Sequence, residues 1–237
     1  MRTLTEDLFE EDSLPRQKFA EMIMSPAFPC LGAKAAYNSG AYQLCVYQDL
    51  ANPRSSKLLA RDLEVFQKSD MRRTSEYATF AAIFREPGEV TEEEFENLLW
   101  SQLQQLHDID RRRHGWDSSV SSDPRDPHFS FSFAGKALYV IGMHAHSSRL
   151  SRRFPWPTLI FNPHAQFERL RQVGKWQQMR AAIRKRDRAL QGSTNPMLSD
   201  FGKSSEARQY SGRVVDDDWR APFQSSRGEP SRCPFAH

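Results

Sequence analysis

His144 and His146 stand just behind Gly142, where an alternating strand pattern opens into a loop, and their type and placement suit chemistry. A rigid strand can hold a side chain at such a junction while the loop gives access. Two histidines one residue apart, with one acid, make a weak version of the two-histidine, one-carboxylate site of non-haem iron. A single imidazole, or the thiolate of Cys30, could instead be the axial ligand of a haem. Arg149, Arg152 and Arg153 follow directly, and guanidinium groups pair with carboxylates such as haem propionates in bidentate fashion. His164, which opens a helical pattern after Asn162-Pro163, is a further ligand candidate.

The other histidines have plainer readings. His107 falls on the apolar stripe of a helix and reads as a half-buried, satisfied side chain. His114, beside Arg111, Arg112 and Arg113, reads as exposed, and neither His128 nor the terminal His237 has a special claim. Cys30, flanked by Pro29 and Leu31, reads first as a small buried residue. Dinucleotide, P-loop and nucleophile-elbow signatures are absent from the sequence. Arg180, Arg184, Lys185, Arg186 and Arg188 on one helix would make a phosphate-binding ridge. The net charge of +3 is modest, however, and no zinc-finger, helix-turn-helix or RNA-binding signature accompanies them. Nucleic acid is therefore a minor reading, and a small anionic or carboxylate-bearing ligand the better one.

The elements that must position these residues follow from periodicity. Pro15 suits the first turn of a helix carrying Phe19, Met22 and Ile23, closed by Pro26. Gly32 to Ala36 predicts a closely packed helix, and residues 42–47 a strand. Leu58, Leu59, Leu63 and Phe66 predict a helix over 55–68, and residues 77–84 the next strand. Thr91 and Glu94 form a capping box before Phe95, Leu98, Leu99, Leu103 and Leu106, a helical stripe. The alternation of Phe129, Phe131 and Phe133 with Ser130 and Ser132, the Ala134-Gly135 turn, and the strand from Lys136 to Ile141 predict a hairpin. Residues 158–161 predict a short strand, followed by a helix from His164 to Leu190 interrupted at Gly174. Residues 192–213 carry no sustained period, and irregular stretches of that length inside a domain are often functional.

A chain of 237 residues with 38% hydrophobic and 11% aromatic residues can bury a core without disulfides or structural zinc. Its three cysteines are scattered and form no CxxC pair. No stretch approaches the roughly eighteen apolar residues of a membrane span, and the N-terminus lacks the apolar core of a signal peptide. These features predict a cytoplasmic protein with no membrane partner. The expected architecture is α+β: a single domain over 15–223, a largely antiparallel sheet with packed helices, and mobile tails at 1–14 and 224–237.

The run from Gly142 through Arg153-Phe154, then Pro157 to Glu168, resembles the YqcI/YcgG family. So do Arg186-Asp187 to Asn195-Pro196 and Ser205-Glu206 to Gly212-Arg213, and Phe28-Pro29-Cys30 and Asp123-Pro124-Arg125-Asp126-Pro127 are similar to its earlier landmarks. The resemblance spans about Phe28 to Phe223. It implies a haem b monooxygenase that N-hydroxylates a guanidine-bearing or amine substrate, arginine-like, with O₂ and electrons from an unidentified reductase. His144 is then favoured over Cys30 as ligand, with Arg149, Arg152 and Arg153 on the propionates. A cationic substrate needs a carboxylate, for which Asp123, Asp126 and Glu206 are the loop acids at hand. The alternatives are a non-enzymatic haem or small-ligand carrier and a non-haem iron enzyme built on His144 and His146. One departure stands out: Trp219-Arg220-Ala221-Pro222-Phe223 carries Ala221 where that family has cysteine, and Cys233-Pro234-Phe235 lies too far on to replace it.

Overall fold

The computed structural model describes residues 4–225, with side chains from residue 12 onward. Five strands form one sheet in the order β1-β2-β5-β4-β3. They are β1 (Tyr42–Asp49), β2 (Thr79–Glu86), β3 (Phe131–Phe133), β4 (Lys136–Met143) and β5 (Thr158–Pro163). Only β1 and β2 run parallel; the remaining pairs are antiparallel, as the sequence predicted for most of the sheet. A parallel pair needs a crossover, which α3 (Pro53–Lys68) and α4 (Asp70–Thr74) supply. Asn52 caps α3 by accepting from the Arg54 amide, and Pro53 occupies the first turn, where its missing N–H costs nothing.

One face of the sheet is sealed by α3 and by α5 (Glu92–Asp110). Leu59, Leu63 and Phe66 of α3 join Phe95, Leu99, Trp100, Leu103 and Leu106 of α5 in a core with Phe80, Phe84, Val140, Leu159 and Phe161. The predicted capping box is complete: Thr91 Oγ1 accepts from the Glu94 amide, and Glu94 accepts from the Thr91 amide. Gly142 of β4 faces this helix, and a Cβ there would lie 2.6 Å from Phe95 and 2.7 Å from Leu99.

The other face carries α1 (Leu4–Met24) and α2 (Leu31–Asn38), together with α6 (His164–Gln172) and α7 (Lys175–Gln191). Phe19 and Ile23 of α1 pack with Phe28, Leu44, Ala81, Ile83, Met143 and Phe154. The predicted interruption at Gly174 separates α6 from α7; its φ of 72° is a left-handed turn that favours glycine. A last short helix, α8 (Ala207–Tyr210), lies within the stretch that has no period in the sequence.

Two expectations are corrected. The first helix begins at Leu4 rather than at Pro15, which sits buried inside it. By sequence Glu6 and Asp7 fall in its first turn, where acidic residues favour a helix. His114 is half-buried, its Nδ1 lying 2.8 Å from Asp110 Oδ1 at the end of α5. Gln224, assigned to the C-terminal tail, has its amide bonded to Gln104; Cys233, His237 and the rest of that tail lie outside the described residues.

Candidate functional site

Between the second face of the sheet and the α6–α7 pair lies a cavity of about 290 Å³ with mostly apolar walls. Concave, largely apolar sites with a few convergent polar groups are where small ligands bind. Alternation along the strands decides its floor: Tyr139 and Ile141 of β4, Ile160 and Asn162 of β5, and Thr79 of β2 point into it. Phe19, Ile23 and Cys30 close one side, and Trp176, Met179 and Ile183 of α7 form the roof. The irregular stretch after α7 contributes Asn195, Phe201, Glu206 and Gln209.

His164 is the first residue of α6, set directly behind β5, and its side chain is only 6% exposed. Its Nε2 makes no hydrogen bond and lies 3.6 Å from Glu206 Oε1. The Phe201 ring packs against the imidazole, with centroids 4.5 Å apart. Burial holds the His164 pKa below its usual value, so the ring is neutral near pH 7. Glu206 is buried too; desolvation raises its carboxyl to about 8 despite hydrogen bonding by Ser130 and Tyr210. Two groups that would otherwise attract as ions thus sit beside one another uncharged.

His144 lies elsewhere. It shares the parity of Val140 and Gly142, so it points to the α5 face, away from the cavity, stacked on Phe95 at 4.5 Å. Desolvation lowers its pKa as well. His146 is exposed and faces Glu89 at 3.5 Å, so the two histidines do not converge. Among the described residues, no three His, Cys, Asp or Glu side chains come together as a metal cluster.

The three arginines near His144 part company. Arg149 forms a buried ion pair with Asp187 at 2.6 Å and donates to Ser193. Arg153 is exposed and donates to the Ser147 carbonyl. Only Arg152 lines the cavity, where α6 and α7 add Arg171, Arg180 and Arg184. The sequence placed Arg180 and Arg184 on a phosphate-binding ridge and missed Arg171; the strand-to-helix turn at Asn162-Pro163 was the signal that could have brought all three to the cavity, since the helices after it roof that space.

Cys30 is on the cavity wall and caps α2, its Sγ accepting from the Ala33 amide at 3.4 Å. Burial pushes the thiol pKa up, which favours S–H over thiolate. Asp123 and Asp126 are half-exposed and away from the cavity. Arg125 grips Asp123 and holds its pKa at about 2, while Asp126 accepts from the His128 amide. Of the three expected carboxylates, Glu206 alone reaches the cavity. Ala221 packs on the α5-side core beside Phe223, whose ring meets Trp100, His107 and Trp116. The departure at Ala221 therefore falls on the opposite face of the sheet from the cavity.

The pattern of the YqcI/YcgG family matches residues 19–224, which include every element that builds the cavity. The uncharacterised protein YqcI of Bacillus subtilis (strain 168) is 29% identical over 216 residues, covering 88% of this chain and 80% of its own length. The uncharacterised protein YcgG of the same organism is 25% identical over 246 residues, covering 100% of this chain and 92% of its own. No solved structure matches significantly. With the family pattern spanning nearly the whole fold, the chain belongs to the YqcI/YcgG family.

Proposed function

We propose that this protein is a haem-dependent N-hydroxylase whose cavity takes haem b beside a guanidine-bearing or amine substrate. The observation that carries the reading is His164: a neutral, buried imidazole on the wall of a mostly apolar cavity, its Nε2 without a hydrogen-bond partner. A buried nitrogen left bare is costly unless something supplies its partner, and an imidazole nitrogen is a haem-iron ligand. The residues fit the group in other ways. Apolar walls suit a porphyrin, and Arg152 and Arg184, which pair with no carboxylate among the described residues, bring positive charge to match two carboxylates.

Haem, when bound, supplies the oxygen-activating chemistry, with O₂ and an external reductase as co-reactants. The chain's own contribution is positional. His164 would hold the iron in place of the expected His144, which faces the wrong side of the sheet. Cys30 is the second candidate on the wall, but its protonated thiol makes it the poorer ligand. Glu206, protonated on its own near pH 7, is the wall acid that an adjoining cationic substrate would hold as a carboxylate.

A non-enzymatic haem or small-ligand carrier uses the same cavity and differs only in turnover. The non-haem iron alternative has less support, because His144 and His146 point apart. The test is an absorption spectrum of the protein loaded with hemin, followed by turnover with arginine, a reductase and O₂. A Soret band with N-hydroxylated product is expected; a Soret band without product favours the carrier, and no Soret band contradicts both.

A further inference from the structure

Two of the four arginines on the cavity wall have a carboxylate of their own. Arg171 pairs with Glu168 and Arg180 with Asp200; Arg184 is half-exposed. Arg152 is neither paired nor exposed. It is 7% exposed, at the end of a 3-10 turn, Leu150–Arg152, and no carboxylate oxygen among the described residues lies within ion-pair distance. Asp187, a natural partner, is committed to Arg149 at 2.6 Å and to Ser151 at 3.2 Å.

The guanidinium is held from one side only. Nη1 donates to the Tyr210 carbonyl at 2.9 Å and to the Gly142 carbonyl at 3.5 Å. Gly212, at φ +90°, lies so close that a Cβ there would be 2.8 Å from Arg152 Cδ, so the backbone clamps the stem. Nε and Nη2 have no acceptor among the described residues, and together they form one of the two forked edges that match a carboxylate. A buried cation without a counter-ion is costly, and an apolar side chain would pack here at less expense. Burial accordingly lowers the Arg152 pKa.

We propose that Arg152 is a carboxylate receptor built into the cavity wall, gripping a carboxylate of the occupant through its Nε–Nη2 edge. The carboxylate could belong to a haem propionate or to an organic acid bound in the same space. The inference uses the cavity assigned above but not its cofactor, so the two can fail separately.

The experiment measures two matched pairs of probes by calorimetry on the full chain. One pair is hemin and hemin dimethyl ester; the other is 3-phenylpropionate and 3-phenylpropionamide. In the wild type the carboxylate member of at least one pair binds about 10-fold tighter or more, the range of hydrogen bonds to charged groups. In Arg152→Gln that preference falls to near parity, and the pair that shows it identifies the source. Should circular dichroism show R152Q unfolded, Arg152→Lys carries the test. It keeps a cation and a donor for the Tyr210 carbonyl but loses the fork, so the preference drops several-fold. No preference in the wild type, or an undiminished preference in the folded variant, overturns the proposal. Preference for phenylpropionate without hemin binding retains Arg152 and removes haem; hemin binding with no preference in either pair does the reverse.

Discussion

The two faces of the sheet carry the same kinds of residue to opposite ends. On the α5 face, Phe80, Phe84, Leu159 and Phe161 are fully buried, and there is no room even for a methyl group at Gly142. On the α6–α7 face, Tyr139, Ile141, Ile160 and Asn162, drawn from the same sheet, floor a cavity. Each face has a buried histidine on it, His144 on one and His164 on the other. Strand alternation separates them: His144 lies one residue beyond Met143, and one residue is a change of face. Both have ring nitrogens without a hydrogen-bond partner; what separates them is the space alongside, a sealed core for His144 and a cavity wall, where a ligand can reach the nitrogen, for His164.

Breaking the sealed face should give the largest effect. Trp100 is fully buried against Tyr210, Trp219 and Phe223, and Trp100→Ala should cost about 3–5 kcal/mol in denaturant unfolding. Glu206 on the cavity face should give the next largest, through pH. Its folded pKa of about 8 lies above the ordinary value of 4.5, so the folded state binds more protons between those values. Stability from the protonated carboxyl is therefore fully present below about pH 4.5 and lost as pH rises through 8. The stability of the wild type relative to Glu206→Gln should fall across that window, by on the order of a few kcal/mol; a flat difference would mean the carboxyl is solvated. Gly142→Ala forces Phe95 or Leu99 to shift and should cost about 1–3 kcal/mol in the same assay. The smallest stability effect is expected for Ile183→Ala in the roof, about 1 kcal/mol or less, because α7 joins neither core cluster. That variant should instead change hemin affinity, whereas G142A should not.

Much of the framework was legible in the sequence because it is local. The capping box at Thr91 and Glu94, the hairpin turn at Ala134-Gly135 and the interruption at Gly174 each depend on residues a few positions apart. The site was less legible because its partners are distant. Arg149 looked available until Asp187, 38 residues on, took it, and Asp123 looked like a substrate carboxylate until Arg125 occupied it. Periodicity could place His144 at a strand end, yet it could not say which face of the sheet would stay open. That depends on where α5 and α6–α7 dock. Glu206 could be named from the sequence only as a loop acid, since its burial comes from Ser130 and Tyr210 closing over it.

The measurement that tests the contrast most directly is a hemin titration, read at the Soret band, on the wild type, His164→Ala and His144→Ala. The wild type and H144A should give the same ligand-dependent spectrum, with H144A less stable, while H164A should lose that spectrum. An unchanged spectrum in H164A, or its loss in H144A alone, would contradict the assignment of the cavity face as the haem site.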